Sequence, residues 1–330
     1  MSPSLALPAH LTVRAPTRDD LPAIFTLIQA SDLDVFGRRD YTFQDLQRDW
    51  NHPTFDPACD AWIVVGPDGE LVGYATSASR NHFRIYCTCI VHPGYYDQGI
   101  GSALLRLLEE RAREHISLAP PEVRVFIHIG VGGGHEPSMR LLTDHGYTWV
   151  RRFTHMYLSM DAPPPVPTWP EGITVRTMIP GQDERAIWEA MEEAFSDHWG
   201  HLPEPFEHWL QRHSGPGRLP PDLQYLAMAG DTVAGAALCL YGQNIGWVDH
   251  LGVRRPWRKL GLGLALLYHA FGEFYRRGMH NIRLGVDAQS LTGATRLYER
   301  AGMHPLLHYD VYEKELRPGV ELAVQSLDDA

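Results

Sequence analysis

At 330 residues, 44% of them hydrophobic and 21% charged, the chain has room for two domains with a core each and is not disordered. Its net charge of −11 argues against nucleic-acid binding and favours approach of cationic amines. No apolar run is long enough to span a bilayer, residues 1–8 lack the features of a signal peptide, and four cysteines are too few for a disulfide framework. A cytoplasmic location is expected, without membrane or nucleic-acid partners.

In chain order, a strand at 11–14 precedes a helix that Thr17 caps and that runs to about Ala30. A second helix covers 43–50 and stops at Asn51-His-Pro53. Residues 61–65 and 70–79 read as a hairpin around Pro67-Asp68-Gly69. A strand at 86–91, a turn, a helix at 99–115, a buried strand at 123–129, a helix at 137–145 and a closing strand pair at 149–160 complete the first domain, 1–160. Five prolines in 161–170 enforce extended geometry, so 161–172 reads as a linker.

The second domain, 173–330, repeats this order. It has a strand at 173–177, a helix at 183–195 and a Pro- and aromatic-rich segment at 197–209. A hairpin at 225–241, a strand at 246–253, a helix starting near Arg258, a strand at 282–286, a helix carrying Tyr298 and strands ending near Leu316 follow. Leu11-Thr-Val-Arg14 recurs as Ile173-Thr-Val-Arg176, Leu71-Val-Gly73 as Val233-Ala-Gly235, and Gly99-Ile-Gly101 as Gly261-Leu-Gly263. Each pair is 162 residues apart, which marks a tandem duplication.

The most informative stretch is Trp247–Leu267. A strand leads through Arg258-Lys259-Leu260-Gly261-Leu262-Gly263-Leu264 into a helix, whose free N–H groups and dipole suit a pyrophosphate. Neither a Gly-Lys-Ser/Thr start nor a third small residue is present, which excludes two common nucleotide-binding loops. The pattern Arg-x-x-Gly-x-Gly after a strand ending Gly-Val, followed by Thr292-Gly-Ala294-Thr-Arg-Leu-Tyr298-Glu-Arg-Ala-Gly302, resembles the GNAT superfamily of acyl-CoA N-acyltransferases. The resemblance covers about 11–316. It implies an α/β (mixed α+β) fold of two tandem domains, each a central mixed, mostly antiparallel sheet flanked by helices.

The resemblance further implies N-acetyl transfer from acetyl-CoA to a primary amine of a small molecule. The donor would lie along Leu251, Gly252 and Val253, which extend the sheet to its pantetheine arm, and on residues 258–264. Tyr298 stands where the family's tyrosine protonates the departing thiolate. Family members often place a Glu on the strand before the cradle, where Trp247 stands here. Asp249, two residues on and so on the same face, is the candidate base or else a structural carboxylate. His250 points to the other face, and His198 and His201 border the acceptor pocket without metal-ligand spacing; no metal is expected.

In the first copy the donor would meet Cys89, Ile90, Val91, Gln98, Gly99, Ile100 and Gly101. Tyr96 and Asp97 replace Arg258 and Lys259 there, Leu142 replaces Tyr298, and Cys87-Thr-Cys89 carries no carboxylate, so this copy reads as catalytically impaired. Two copies with the better site second resemble the mycothiol synthase group of the superfamily, though Ser290 stands where Asn is usual. A non-enzymatic acyl-CoA sensor and a protein N-terminal, antibiotic or polyamine acetyltransferase remain alternatives, and monomer or homodimer is open.

Overall fold

The computed structural model describes residues 7–79, 81–213, 220–242, 244–290 and 293–326. Residues 1–6 and Thr292 of the second motif lie outside them. The chain divides into two compact units, Met1–Arg152 with Tyr309–Leu322, and Phe153–His308 with Ala323–Ala330.

The first unit contains β1 (Thr12–Arg14), α1 (Leu21–Phe36), α2 (Phe43–Trp50), α3 (Pro57–Asp60), β2 (Ala61–Val65), β3 (Leu71–Ala78), β4 (Arg84–Val91), α4 (Ile100–Glu114), β5 (Val125–Gly132) and α5 (Glu136–Asp144). Thr17 caps a short turn before α1 rather than α1 itself. That helix runs six residues past the expected end, to Phe36, and Gly37, with a φ of 66°, makes the left-handed cap. β1 to β4 pair antiparallel in sequence order, and β4 pairs parallel to β5.

The second unit repeats the pattern with β7 (Ile173–Thr177), α6 (Glu184–Phe195), α7 (Phe206–His213), β8 (Gln224–Ala229), β9 (Thr232–Gly242), β10 (Ile245–Val253), α8 (Leu262–Arg276), β11 (Asn281–Asp287) and α9 (Ala294–Arg300). β7 to β10 are antiparallel in order, and β10 is parallel to β11. Among the described residues α7 is an element the sequence reading leaves in an irregular segment.

The sixth strand of each sheet comes from the other half of the chain. β6 (Thr148–Ser159) places Phe153–Ser159 against β11 in the second unit, and β12 (His304–Arg317) places Tyr309–Arg317 against β5 in the first. Each is one long strand rather than the expected group of short ones. Met156 and Met160 are accordingly buried in the core of the second unit with Phe271, Phe274 and Ile282. The units therefore part between Arg152 and Phe153 rather than at residue 160.

The Pro-rich segment 161–172 also belongs to the second unit. It runs past α8, where Trp169 meets His269 at 5.7 Å between rings, and joins β6, next to β11, to β7 at the sheet edge beyond β8. Twelve extended residues reach about 37 Å, at about 3.1 Å each, enough to cross five strand spacings of about 4.8 Å.

Candidate active site

β10 and β11 pair only from Ile245↔Asn281 to Trp247↔Arg283. β10 then continues to Val253 on its other neighbour, β9. Where the two strands part, a cavity of about 190 Å³ opens. Asp249 and Leu251 of β10, Gly285 and Asp287 of β11, and Tyr298 of α9 line it. Two sequence-predicted catalytic residues, 49 positions apart in the chain, thus reach one cavity.

A β-bulge presents Asp249. The ladder pairs Val248 with Cys239 and His250 with Leu238, leaving Asp249 as the extra residue. Simple alternation puts His250 on the opposite face, but the bulge brings its Nδ1 to 2.9 Å from Asp249 Oδ2. Burial works against the Asp249 charge. The contact with His250 and the positive potential of His250, His213 and Arg212 outweigh it, and the carboxyl is held below its ordinary range. Trp247 stays outside the cavity and packs on His155, at 5.1 Å between rings. The counterpart strand β4 has no bulge, its ladder with β3 running unbroken from Tyr86 to Val91.

Tyr298 is the buried residue of α9. Burial pushes its phenol up to about 12, so it keeps its proton across the neutral range. His198 also lines the cavity, and burial together with nearby Arg258 pushes its imidazole down to about 4. His201 lies instead beside Glu192, at 3.5 Å. Phe153, Phe195 and Trp199 complete an aromatic wall. Asp287 Oδ1 accepts from the Gln289 N–H at 2.9 Å, and Ser290 Oγ from Ala294 N–H at 3.3 Å.

The cradle follows β10. Lys259 and Gly261 take positive φ, 63° and 87°, and α8 begins at Leu262 rather than at Arg258. The Ala265 N–H donates to Gly261 O, closing the first turn. The amides of Leu262, Gly263 and Leu264 precede that bond and have no intrahelical acceptor. The first unit repeats the conformation with Asp97 at 59° and Gly99 at 81°.

Arg258 does not face this cradle with a free guanidinium. Its Nη1 pairs with Asp197, Nε donates to Val253 O at 3.1 Å and Nη2 to Ala194 O at 3.0 Å. Arg255 also pairs with Asp197, and Arg254 binds Glu193 at 2.6 Å. Burial opposes the Asp197 charge, but Arg258 and Arg255 outweigh it and hold its carboxyl below the ordinary range. Arg258 thus braces the turn against the end of α6. Lys259 and Leu260 are exposed.

Two glycines serve packing. A Cβ on Gly263 would stand 3.2 Å from Leu297 of α9, and one on Gly252 would stand 2.6 Å from Met191 of α6. Gly101, the counterpart of Gly263 in the first unit, is tighter than Gly263, with a Cβ at 2.6 Å from Leu141.

In the first unit the places of Asp249 and Tyr298 hold Cys87 and Leu142, and both are buried in one apolar cluster with Tyr147. Cys89 packs on that cluster, and burial pushes both thiols up to about 12. Ile90 and Val91 stay on the β3 ladder, Ile100 is buried, and Gln98 Nε2 reaches Gly94 O at 3.5 Å. Asp97 is bridged by Arg140 at 2.8 Å, and Tyr96 donates to Asp34 at 3.0 Å.

Of the cavity lining, the sequence singles out Asp249, Tyr298 and His198 but not Phe153, assigned to the other domain, or the wall residue Phe195. Period-two alternation carries no sign of the bulge.

Residues 21–147 and 185–303 both match the acetyltransferase (GNAT) family model. A mycothiol acetyltransferase of Thermomonospora curvata is 32% identical over 71% of this chain and 76% of its own length. The crystal structure of a GCN5-related N-acetyltransferase from Sphaerobacter thermophilus is 40% identical, covers 96% of this chain and 99% of its own, and superposes with a TM-score of 0.88. A tandem GNAT protein from the clavulanic acid biosynthesis pathway shares the fold, at 17% identity and a TM-score of 0.71 over 94% of this chain. With both halves matched by the family model, the chain belongs to the acetyltransferase (GNAT) family and is an acyl-CoA-dependent N-acetyltransferase.

Proposed function

We propose that the second unit transfers the acetyl group of acetyl-CoA to a primary amine of a small molecule. The observation that carries this reading is the cavity between parted strands, onto which both the bulged carboxylate of Asp249 and the hydroxyl-bearing Tyr298 open. The donor's pyrophosphate rests on the amides of 259–264, and the free edge of Leu251–Val253 pairs with its pantetheine arm.

Asp249, ionised at neutral pH, attracts the ammonium of the acceptor and takes its proton, directly or through water. The neutral amine attacks the thioester carbonyl, the tetrahedral intermediate collapses with cleavage of the C–S bond, the thiolate leaves, and the proton that the new amide nitrogen sheds passes to water. Tyr298 donates a hydrogen bond to sulfur as charge builds there. A phenol raised to about 12 exceeds a free thiol's value of about 8.5. Its contribution is therefore a hydrogen bond that strengthens as negative charge develops on sulfur, rather than an equilibrium proton supply.

The first unit keeps the cradle backbone, but its site is filled by Cys87, Leu142 and Tyr147. It serves the fold and contributes no turnover. The named relatives make the cysteinyl amine of a mycothiol precursor the acceptor to test first. Thiol release from acetyl-CoA is measured with that precursor, a polyamine, an aminoglycoside and an N-terminal peptide. Turnover with a small amine that disappears in Asp249→Asn supports the reading, and turnover with the peptide alone contradicts it.

A further inference from the structure

The segment after α6 forms the aromatic side of the cavity and has little secondary structure of its own. At its start, Asp197 is held by Arg255 and Arg258. Near its far end, Trp188 Nε1 donates to Glu204 O at 2.9 Å. Between them stand His198 and Trp199, which line the cavity, and Gly200, whose φ of 75° turns the chain.

This middle stretch is held by the tail of the same unit. The Gly200 N–H donates to Val324 O at 2.7 Å, and the Val324 N–H returns to His201 O at 3.2 Å. The Trp199 indole N–H donates to Gln325 Oε1 at 2.9 Å. The Gln325 amide is itself steadied by Ala323 O at 3.4 Å, and Ala323 is buried. Two reciprocal backbone bonds fix the loop's height, and the side-chain bond fixes the indole's rotation. Trp199 then meets Phe153 at 6.2 Å between ring centres, across the cavity wall.

We propose that Val324 and Gln325 are positioning residues for the amine acceptor, acting through Trp199. The inference rests on the reading of this cavity as the acceptor site. An indole fixed in this way offers a flat face to the acceptor, so the class it favours is an amine carried on a ring or other flat apolar surface. The tail holds residues 199–201, whereas the cradle turn is held two residues earlier by Asp197 through Arg255 and Arg258, so the two attachments are separate bonds.

The test uses the full chain with Gln325→Ala, Gln325→Glu and Trp199→Ala, and a second form ending at Leu322. With acetyl-CoA and the cysteinyl amine of the mycothiol precursor, Gln325→Ala and the shortened form raise the acceptor KM by about tenfold. The acetyl-CoA KM and melting temperature stay near those of the parent, because only ground-state positioning of the acceptor is lost. Gln325→Glu, which keeps an acceptor oxygen for the indole, restores most of the affinity. Independently of any acceptor, hydrogen exchange at the Gly200 amide speeds up in the shortened form while 251–264 are unchanged. Unchanged exchange at Gly200, or an acceptor KM within twofold of the parent in Gln325→Ala while Trp199→Ala raises it, overturns the proposal. If Trp199→Ala itself leaves the acceptor KM unchanged, the acceptor reading of the cavity fails instead, and the exchange result decides the strap.

Discussion

His250 Nδ1 stands 2.9 Å from Asp249 Oδ2, although the two are neighbours on one strand. The bulge turns the carboxylate into the cavity, and the imidazole supports it from outside the lining. Because His250 helps hold the Asp249 carboxyl below its ordinary range, its loss moves that value upward. The acidic limb of the kcat/KM profile in His250→Ala therefore shifts to higher pH, while a limb that stays in place excludes this coupling.

Asp197 ties the cradle turn to α6 through Arg255 and Arg258. Asp197→Asn leaves two cations short of a partner, and the melting temperature at neutral pH falls, by less than for a fully buried pair because both arginines are partly exposed. The wild-type carboxyl is held below its unfolded value of about 3.9. Its contribution is present above that value and disappears as pH falls through the lower folded one. Thermal melts of parent and variant converge at acid pH; a constant gap from pH 7 to the acid end refutes the assignment.

Gly261 and Gly263 fail differently when substituted. Gly261→Val forces a β-branched residue to a φ of 87° and disrupts the donor amides, so the acetyl-CoA Kd rises at least about tenfold. Gly263→Ala presses on Leu297, next to Tyr298, and so lowers kcat as well. Equal kinetics for the two variants contradict separate roles.

The fragment 173–330 lacks the strand Phe153–Ser159 and the buried Met156 and Met160. Alone it leaves one edge of β11 open and gives no dispersed amide spectrum. A well-dispersed spectrum and acetyl-CoA turnover from that fragment disprove the exchange of strands.

Much of this was legible in the chain. The constant offset of 162 residues marked the duplication, and Gly261, Gly263 and Tyr298 marked the start of α8 and the helix α9. The exchange of β6 and β12 was not legible, because a strand alternates in the same way whichever sheet it joins. Nor was the inward turn of Arg258, whose partner Asp197 lies 61 residues away. The bulge at Asp249 depends on the register of β9, which local pattern does not encode. Gly263 reads as a cradle glycine in sequence, and its contact with Leu297 appears only once α8 and α9 pack.

Single-turnover transfer by Tyr298→Phe, at saturating acetyl-CoA and acceptor, tests the second unit as the seat of chemistry. The expected result is a rate lower by roughly 10²–10⁴-fold with acetyl-CoA affinity unchanged, since the hydroxyl acts in the transition state. Gly99→Ala in the first unit leaves the rate within about twofold, its strained φ costing only about 1–2 kcal/mol of stability. A Tyr298→Phe rate within twofold of the parent, or a Gly99→Ala protein that is folded and inactive, contradicts the account.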